Sequence, residues 1–141
     1  MIILKSKQEI QIMKEAGRIV AGALRTVKDA IAPGITTEEL DKRAENYILS
    51  QDATPAFKGY QGFPASICAS LNNQVVHGIP GDTTLREGDI ISIDIGAFYR
   101  GYCGDAARTY PVGEISPEAE RLIEVTRNSF YKGLEFATVG H

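Results

Sequence analysis

The chain has 141 residues, enough for one domain with a core, and its 43% hydrophobic content is that of a globular protein. A formal net charge of −3 leaves no basic footprint for a nucleic-acid partner, and no apolar stretch reaches the ~20 residues needed to cross a bilayer. Met1-Ile2-Ile3-Leu4-Lys5 lacks the basic and long apolar regions of a secretory signal, so the cytoplasm is the expected compartment. Two cysteines, Cys68 and Cys103, stand alone without a C-x-x-C pair. That argues against a zinc knuckle and a disulfide scaffold, and both read as buried free thiols.

In chain order, Ser6 followed by Glu9 has capping-box spacing and opens a first helix. Ile10, Met13, Gly17, Val20, Leu24, Val27 and Ile31 recur at steps of three and four, which places them on one stripe, and Pro33-Gly34 stops the helix. Thr36 and Glu39 repeat the capping spacing before a second helix with Leu40, Ala44 and Ile48 inward. Residues 55–64 are rich in Gly, Pro and aromatics and predict a shaped loop. Ser66 to Leu71 reads as a short buried strand, and residues 78–89 as a polar surface loop. The clearest strand is Ile90 to Phe98, followed by Gly101 to Tyr110. Ser116-Pro117 then opens a third helix whose apolar face carries Leu122, Val125, Phe130 and Leu134, with Ser129 among them. Sliding this helix onto the first by 106 residues superposes Val125 on Ile19 and Phe130 on Leu24, as if a second copy of the opening unit had begun and been cut off.

The chemistry concentrates in Ile90-Ile91-Ser92-Ile93-Asp94-Ile95-Gly96 and Gly104-Asp105. Period-two alternation sends Ile91, Ile93, Ile95 and Ala97 to one face and Ser92, Asp94 and Gly96 to the other. A hairpin turn centred between Tyr99 and Arg100 would set Asp94 directly opposite Asp105, with Cβ atoms ~4.5–5.5 Å apart. Two like charges there destabilise a sheet, and a divalent cation turns the repulsion into attraction. An odd loop or a bulge at Gly101 would spoil the pairing. Alternatives remain on this evidence alone: solvated surface carboxylates, or a metal-free pair that shares a proton for acid–base work. Adding a histidine shifts the choice of ion towards Mn, Fe, Co or Zn over Ca or Mg. His77 follows an apolar run, where a histidine is ordinarily a core or loop residue, and the loop with Phe57, Tyr60 and Phe63 reads by itself as a hydrophobic loop.

Four motifs in order change that reading. Gly59-Tyr60-Gln61-Gly62-Phe63-Pro64-Ala65-Ser66-Ile67-Cys68 comes first, and Ser70-Leu71-Asn72 leading to His77-Gly78-Ile79-Pro80 comes second. Gly88-Asp89-Ile90-Ile91-Ser92-Ile93-Asp94-Ile95-Gly96 and then Gly101 to Gly113 complete the series. With the opening helix and the Pro33–Asp41 segment, this order resembles the type I methionine aminopeptidases. The resemblance implies an α+β chain forming half of a pita-bread fold, an antiparallel sheet with helices packed on one face. Residues 1–141 would be the N-terminal half of the catalytic domain, with the second half absent. It further implies a site for two divalent metal ions (Co, Mn, Fe or Zn) that hydrolyses the initiator methionine from nascent polypeptides. On the matching positions Asp94 resembles a terminal metal ligand and Asp105 a bridging one. His77 resembles the catalytic histidine that contacts substrate near the scissile amide. Phe57, Tyr60, Phe63 and Cys68 resemble the lining of the methionine pocket.

The family's second half supplies further metal ligands that this chain lacks. The expectations are therefore weak or absent metal binding, little or no activity of the isolated chain, and self-association through the surface the missing half would cover. No nucleic acid or membrane is expected as a partner. A non-catalytic pita-bread peptide-binding module is the alternative from another class, and proline peptidases are the nearest alternative within the fold.

Overall fold

The computed structural model describes residues 3–141. The first helix, α1 (Lys7–Lys28), starts at the capping box: Glu9 N–H donates to Ser6 Oγ at 3.3 Å, and Ser6 N–H donates to the Glu9 carboxylate at 2.6 Å. The helix ends three residues before Ile31, because the amides of Ala30 and Ile31 turn back onto the carbonyls of Val27 and Lys28 in a tightened last turn. Its buried side is Ala16, Ile19, Val20, Ala23, Leu24 and Val27, whereas Ile10 and Met13 of the predicted stripe are exposed. The second helix, α2 (Thr37–Ser50), begins at the Thr36–Glu39 box and buries Leu40, Ala44 and Ile48, as the spacing predicts.

Four strands follow: β1 (Thr54–Pro55), β2 (Ile67–Leu71), β3 (Ile90–Tyr99) and β4 (Tyr102–Pro111). All pairings are antiparallel, and β3 is central. On one side β3 pairs with β2 over Ile91–Ile95 and with β1 over Ala97–Phe98, and on the other it pairs with β4 along its whole length. Ile91, Ile93, Ile95 and Ala97 point to the helices and are fully buried with Ile67, Ala69, Ile19, Val20, Val27 and Leu40. Burying each large aliphatic side chain is worth roughly 1.5–3 kcal/mol, so this one-sided layer is the main source of stability. The α+β class and the packing of helices on one face of an antiparallel sheet are as the resemblance implies.

The loop over residues 78–89 is not wholly a surface feature. Leu85 is buried, and its backbone exchanges hydrogen bonds with Gly34 and Ile35, both 2.8 Å, which ties the loop to the start of α2. The third helix, α3 (Pro117–Leu134), is capped by Ser116 Oγ, which accepts from Ala119 N–H at 3.2 Å. None of its residues is buried. Among the described residues no helix is long and apolar enough to cross a membrane.

Candidate metal centre and pocket

The face of the sheet turned away from α1 and α2 carries the candidate chemistry. The β3–β4 turn consists of Arg100 and Gly101, both with left-handed backbone (φ 48° and 83°), so Tyr99 pairs with Tyr102. Such two-residue turns match the twist of the strands they join. The expectation that Asp94 and Asp105 stand directly opposite each other is therefore corrected: Asp94 faces Ala107, and Asp105 faces Gly96. A shift of two residues preserves sidedness, so both carboxylates stay on the same face as diagonal neighbours, within reach of each other.

The electrostatics register that approach. Burial lifts the Asp94 carboxyl above its ordinary range, and the charge of Asp105 and a hydrogen bond with it lift it further, while His77 and the Ile95 amide pull the other way. Like charges brought together in a partly desolvated place favour a proton or a cation between them. The donor set suits a divalent ion: carboxylate oxygens on a rigid strand pair, with a histidine near. It is also incomplete, since no group of three or more His, Cys, Asp or Glu side chains converges as a metal cage among the described residues.

Cys68 is opposite Asp94 on the β2 side. Its thiol is buried and is pushed up to about 11, first by burial and then by the charges of Asp94 and Asp105. With no cation on the acidic pair, a thiol so placed is protonated at neutral pH and presents an uncharged wall beside Asp94. Cys103, on β4, is exposed, contrary to the expectation of two buried thiols.

Gly96 explains the position of Phe57. A Cβ at Gly96 would lie 2.6 Å from Phe57 Cε1 and 3.0 Å from the Ala56 methyl, so the ring rests on a strand position that has no side chain. The Ala56 amide, donating to the Gly96 carbonyl at 2.9 Å, holds the ring there.

His77 has a left-handed backbone (φ 60°) that few non-glycine residues adopt. The next residue over-determines it: Gly78 N–H donates to Ser70 Oγ at 3.0 Å, and the Gly78 carbonyl accepts from Ala69 N–H at 2.8 Å. These bonds fasten the loop to the outer edge of β2 and keep an exposed imidazole close enough to act on Asp94. Thus Asp94, Asp105, Cys68, Phe57 and His77 share one neighbourhood.

Tyr60 and Phe63 are placed differently. Tyr60 opens a 3-10 turn (Tyr60–Gly62) and Phe63 follows it, with Tyr60 68% exposed and Phe63 half-buried, so Tyr60 walls no closed cavity in this chain. Two surface depressions lie along α3, one lined by Leu122 and Val125 and the other by Ile123 and Arg127. Sequence reasoning missed Ser70, the Ser92–Thr109 hydroxyl pair (2.8 Å), the Gly96 seat and Asp41 of α2. Ser92 alternates with Asp94 on the strand and could have been found that way; Ser70 is defined by a bond to a loop eight residues on, and the Gly96 seat and Asp41 by contacts distant in sequence.

A model of metallopeptidase family M24 matches residues 11–141. The chain belongs to this family. Membership in M24 implies use of divalent metal and agrees with the oxygen-rich face described above. The methionine aminopeptidase of Clostridium perfringens is 55% identical over 139 residues, covering 99% of this chain and 56% of that protein. Methionine aminopeptidase 1 of Bacillus subtilis is 57% identical over 140 residues, covering 99% of this chain and 56% of that protein. The crystal structure of methionine aminopeptidase from Rickettsia prowazekii superposes with a TM-score of 0.92 at 40% identity, over 94% of this chain and 54% of that one. The fold is thus that of about half of the pita-bread arrangement of these M24 members, and the chain spans about half the length of the curated relatives it matches.

Proposed function

We propose that this chain is one half of a cytoplasmic metal-dependent aminopeptidase that hydrolyses the N-terminal methionine from nascent polypeptides. The observation that carries the reading is the convergence of Asp94 and Asp105 on the open face of the hairpin, beside Cys68 and Phe57. Two divalent ions, when bound, supply Lewis acidity towards the peptide carbonyl and a nucleophile at neutral pH. Asp94 would be a terminal ligand and Asp105 a bridging one. His77 would meet the substrate near the scissile amide and steady charge that develops there. Cys68, neutral at working pH, and the aromatic rings of Phe57, Tyr60 and Phe63 would take up the thioether side chain. An uncharged pocket of this kind rejects similar side chains only weakly, since a methylene is worth ~1–3 kcal/mol.

Two carboxylates leave most of a metal's coordination to water and without a supporting shell, so binding to this chain by itself is weak. The isolated 141-residue polypeptide accordingly has little or no aminopeptidase activity. Strong turnover by a preparation whose mass excludes any longer chain would refute this. Self-association belongs to the same proposal. Among the described residues the outer edge of β4 has no partner strand, and α3 exposes Leu122, Val125, Phe130 and Leu134, an edge and a patch that invite a second copy. Light scattering that finds only monomer at high concentration would remove that part.

The deciding experiment is calorimetric titration of the chain with Mn2+ or Co2+, beside Asp94→Asn and Asp105→Asn. Each substitution is expected to abolish the measurable heat of binding. Binding unchanged in both variants would separate the aspartates from any metal and end the proposal.

A further inference from the structure

The loop that carries the aromatic residues is held at both of its ends by one face of α2. At its far end the buried Asp41 carboxylate accepts two backbone N–H bonds through a single oxygen, from Ser66 at 2.8 Å and from Ile67 at 2.9 Å. Ser66 is the last residue before β2, and Ile67 is its first. At the near end Lys58 Nζ meets Glu45 Oε1 at 2.6 Å. Asp41 and Glu45 are one helical turn apart, so both anchors lie on the same side of α2.

Between the anchors the backbone passes through three left-handed positions, Gly59, Gln61 and Gly62. The loop closes on itself through Gly59 N–H to the Phe63 carbonyl (2.8 Å) and Phe63 N–H to the Tyr60 carbonyl (2.9 Å). Those internal bonds define its shape but do not place it on the sheet.

We infer that Asp41 is a positioning residue: with Glu45 it fastens the Lys58–Ser66 loop to α2 at both ends and thereby sets where Tyr60 and Phe63 stand relative to Cys68. The two anchors are unequal. Burial resists the charge on Asp41 and lifts its carboxyl, while the two amides draw it back, so the carboxylate is kept at a cost for the bonds it accepts. Removing it strands two amides at fully or nearly buried positions, and such donors are expensive to leave unpaired. The Lys58–Glu45 pair is half-exposed and screened by water, so its loss is minor. That the loop forms a methionine pocket rests on the proposed function; that α2 clamps it does not.

The test is amide hydrogen exchange on the 141-residue chain, read at Gly59 and Phe63, whose own bonds do not involve α2. In Asp41→Ala these two amides exchange at least about tenfold faster, while Ile19–Val27 of α1 keep their protection. Asp41→Asn restores protection, because one amide oxygen can accept both bonds. Lys58→Met, which cannot compromise folding of the core, speeds Gly59 by about twofold and leaves Ile67 unchanged. Faster exchange confined to Ser66 and Ile67, or no rescue by asparagine, would overturn the clamp. Should Asp41→Ala fail to fold, the asparagine and Lys58→Met results decide it: a loop equally protected when Lys58 is released has no near anchor on α2. Binding of a methionyl dipeptide amide by NMR, run in parallel, bears on the pocket. Its absence in the unsubstituted chain would count against the proposed function and leave the exchange result standing.

Discussion

Two helices in this molecule obey the same sequence rules and meet opposite fates. Both α1 and α3 start at a serine cap, and both carry apolar residues at helical spacing. In α1 the stripe is covered: Ile19 is 1% and Leu24 6% exposed, packed against the central strand. At the corresponding positions of α3, Val125 is 55% and Phe130 61% exposed. Periodicity therefore specifies which side of a helix seeks cover, and says nothing about whether this chain supplies that cover. The chain spans about half the length of the curated relatives it matches.

The contrast makes its largest demand on substitution of buried and exposed aliphatics. Ile93→Ala, at a fully buried position under α1, should cost about 2–5 kcal/mol in urea unfolding. Val125→Ala on α3 should stay within about 0.5 kcal/mol at dilute concentration. Comparable losses at both sites would mean that α3 is packed in solution after all, most directly by a second copy.

The helix caps sharpen the comparison at a smaller scale. Ser6→Ala should lower global stability by about 1 kcal/mol, whereas Ser116→Ala should fray α3 and leave the main unfolding midpoint in place. Circular dichroism and exchange at the two helix starts separate these outcomes. The α1 cap also has an acid limit. Its Glu9 carboxyl is drawn from 4.5 down to about 2 by the Ser6 amide, the Tyr102 hydroxyl and the Ser6 side chain. A depressed carboxylate contributes stability that is complete above its unfolded value and lost as pH falls through about 2. Glu9→Gln should remove that acid-side slope, and a slope unaltered by the substitution would place its origin elsewhere.

The smallest effect concerns the open face. Alkylation of Cys68 should show a midpoint near pH 11, and Asp94→Asn should lower that midpoint while burial keeps it above the ordinary thiol value. A profile indifferent to Asp94→Asn would separate the thiol from the acidic pair.

Much of this is legible in the sequence. The two capping boxes set both helix starts where the spacing places them, and the alternation of Ile91, Ile93 and Ile95 identified the buried face of the central strand. Sidedness also puts Asp94 and Asp105 on one face, although direct opposition requires a turn centred one residue earlier than the one observed. Arg100 is the reason: a non-glycine residue in a left-handed turn position carries little sequence signal, so the sequence leaves the register open and the structure centres the turn between 100 and 101. Composition alone predicts a buried Cys103, because cysteine is ordinarily a buried residue, whereas its strand position leaves it exposed.

By itself the sequence determined the local matters: where helices start, which strand residues share a face, and that two carboxylates and a histidine lie within a short span of motif. Local rules suffice there because capping, alternation and turn preference act over a few residues. Tertiary structure alone decided that Phe57 rests on Gly96, that Asp41 reaches across to Ser66 and Ile67, and that α3 remains uncovered. Those contacts join residues far apart in the chain, and close packing selects them only once the sheet and its helices have come together.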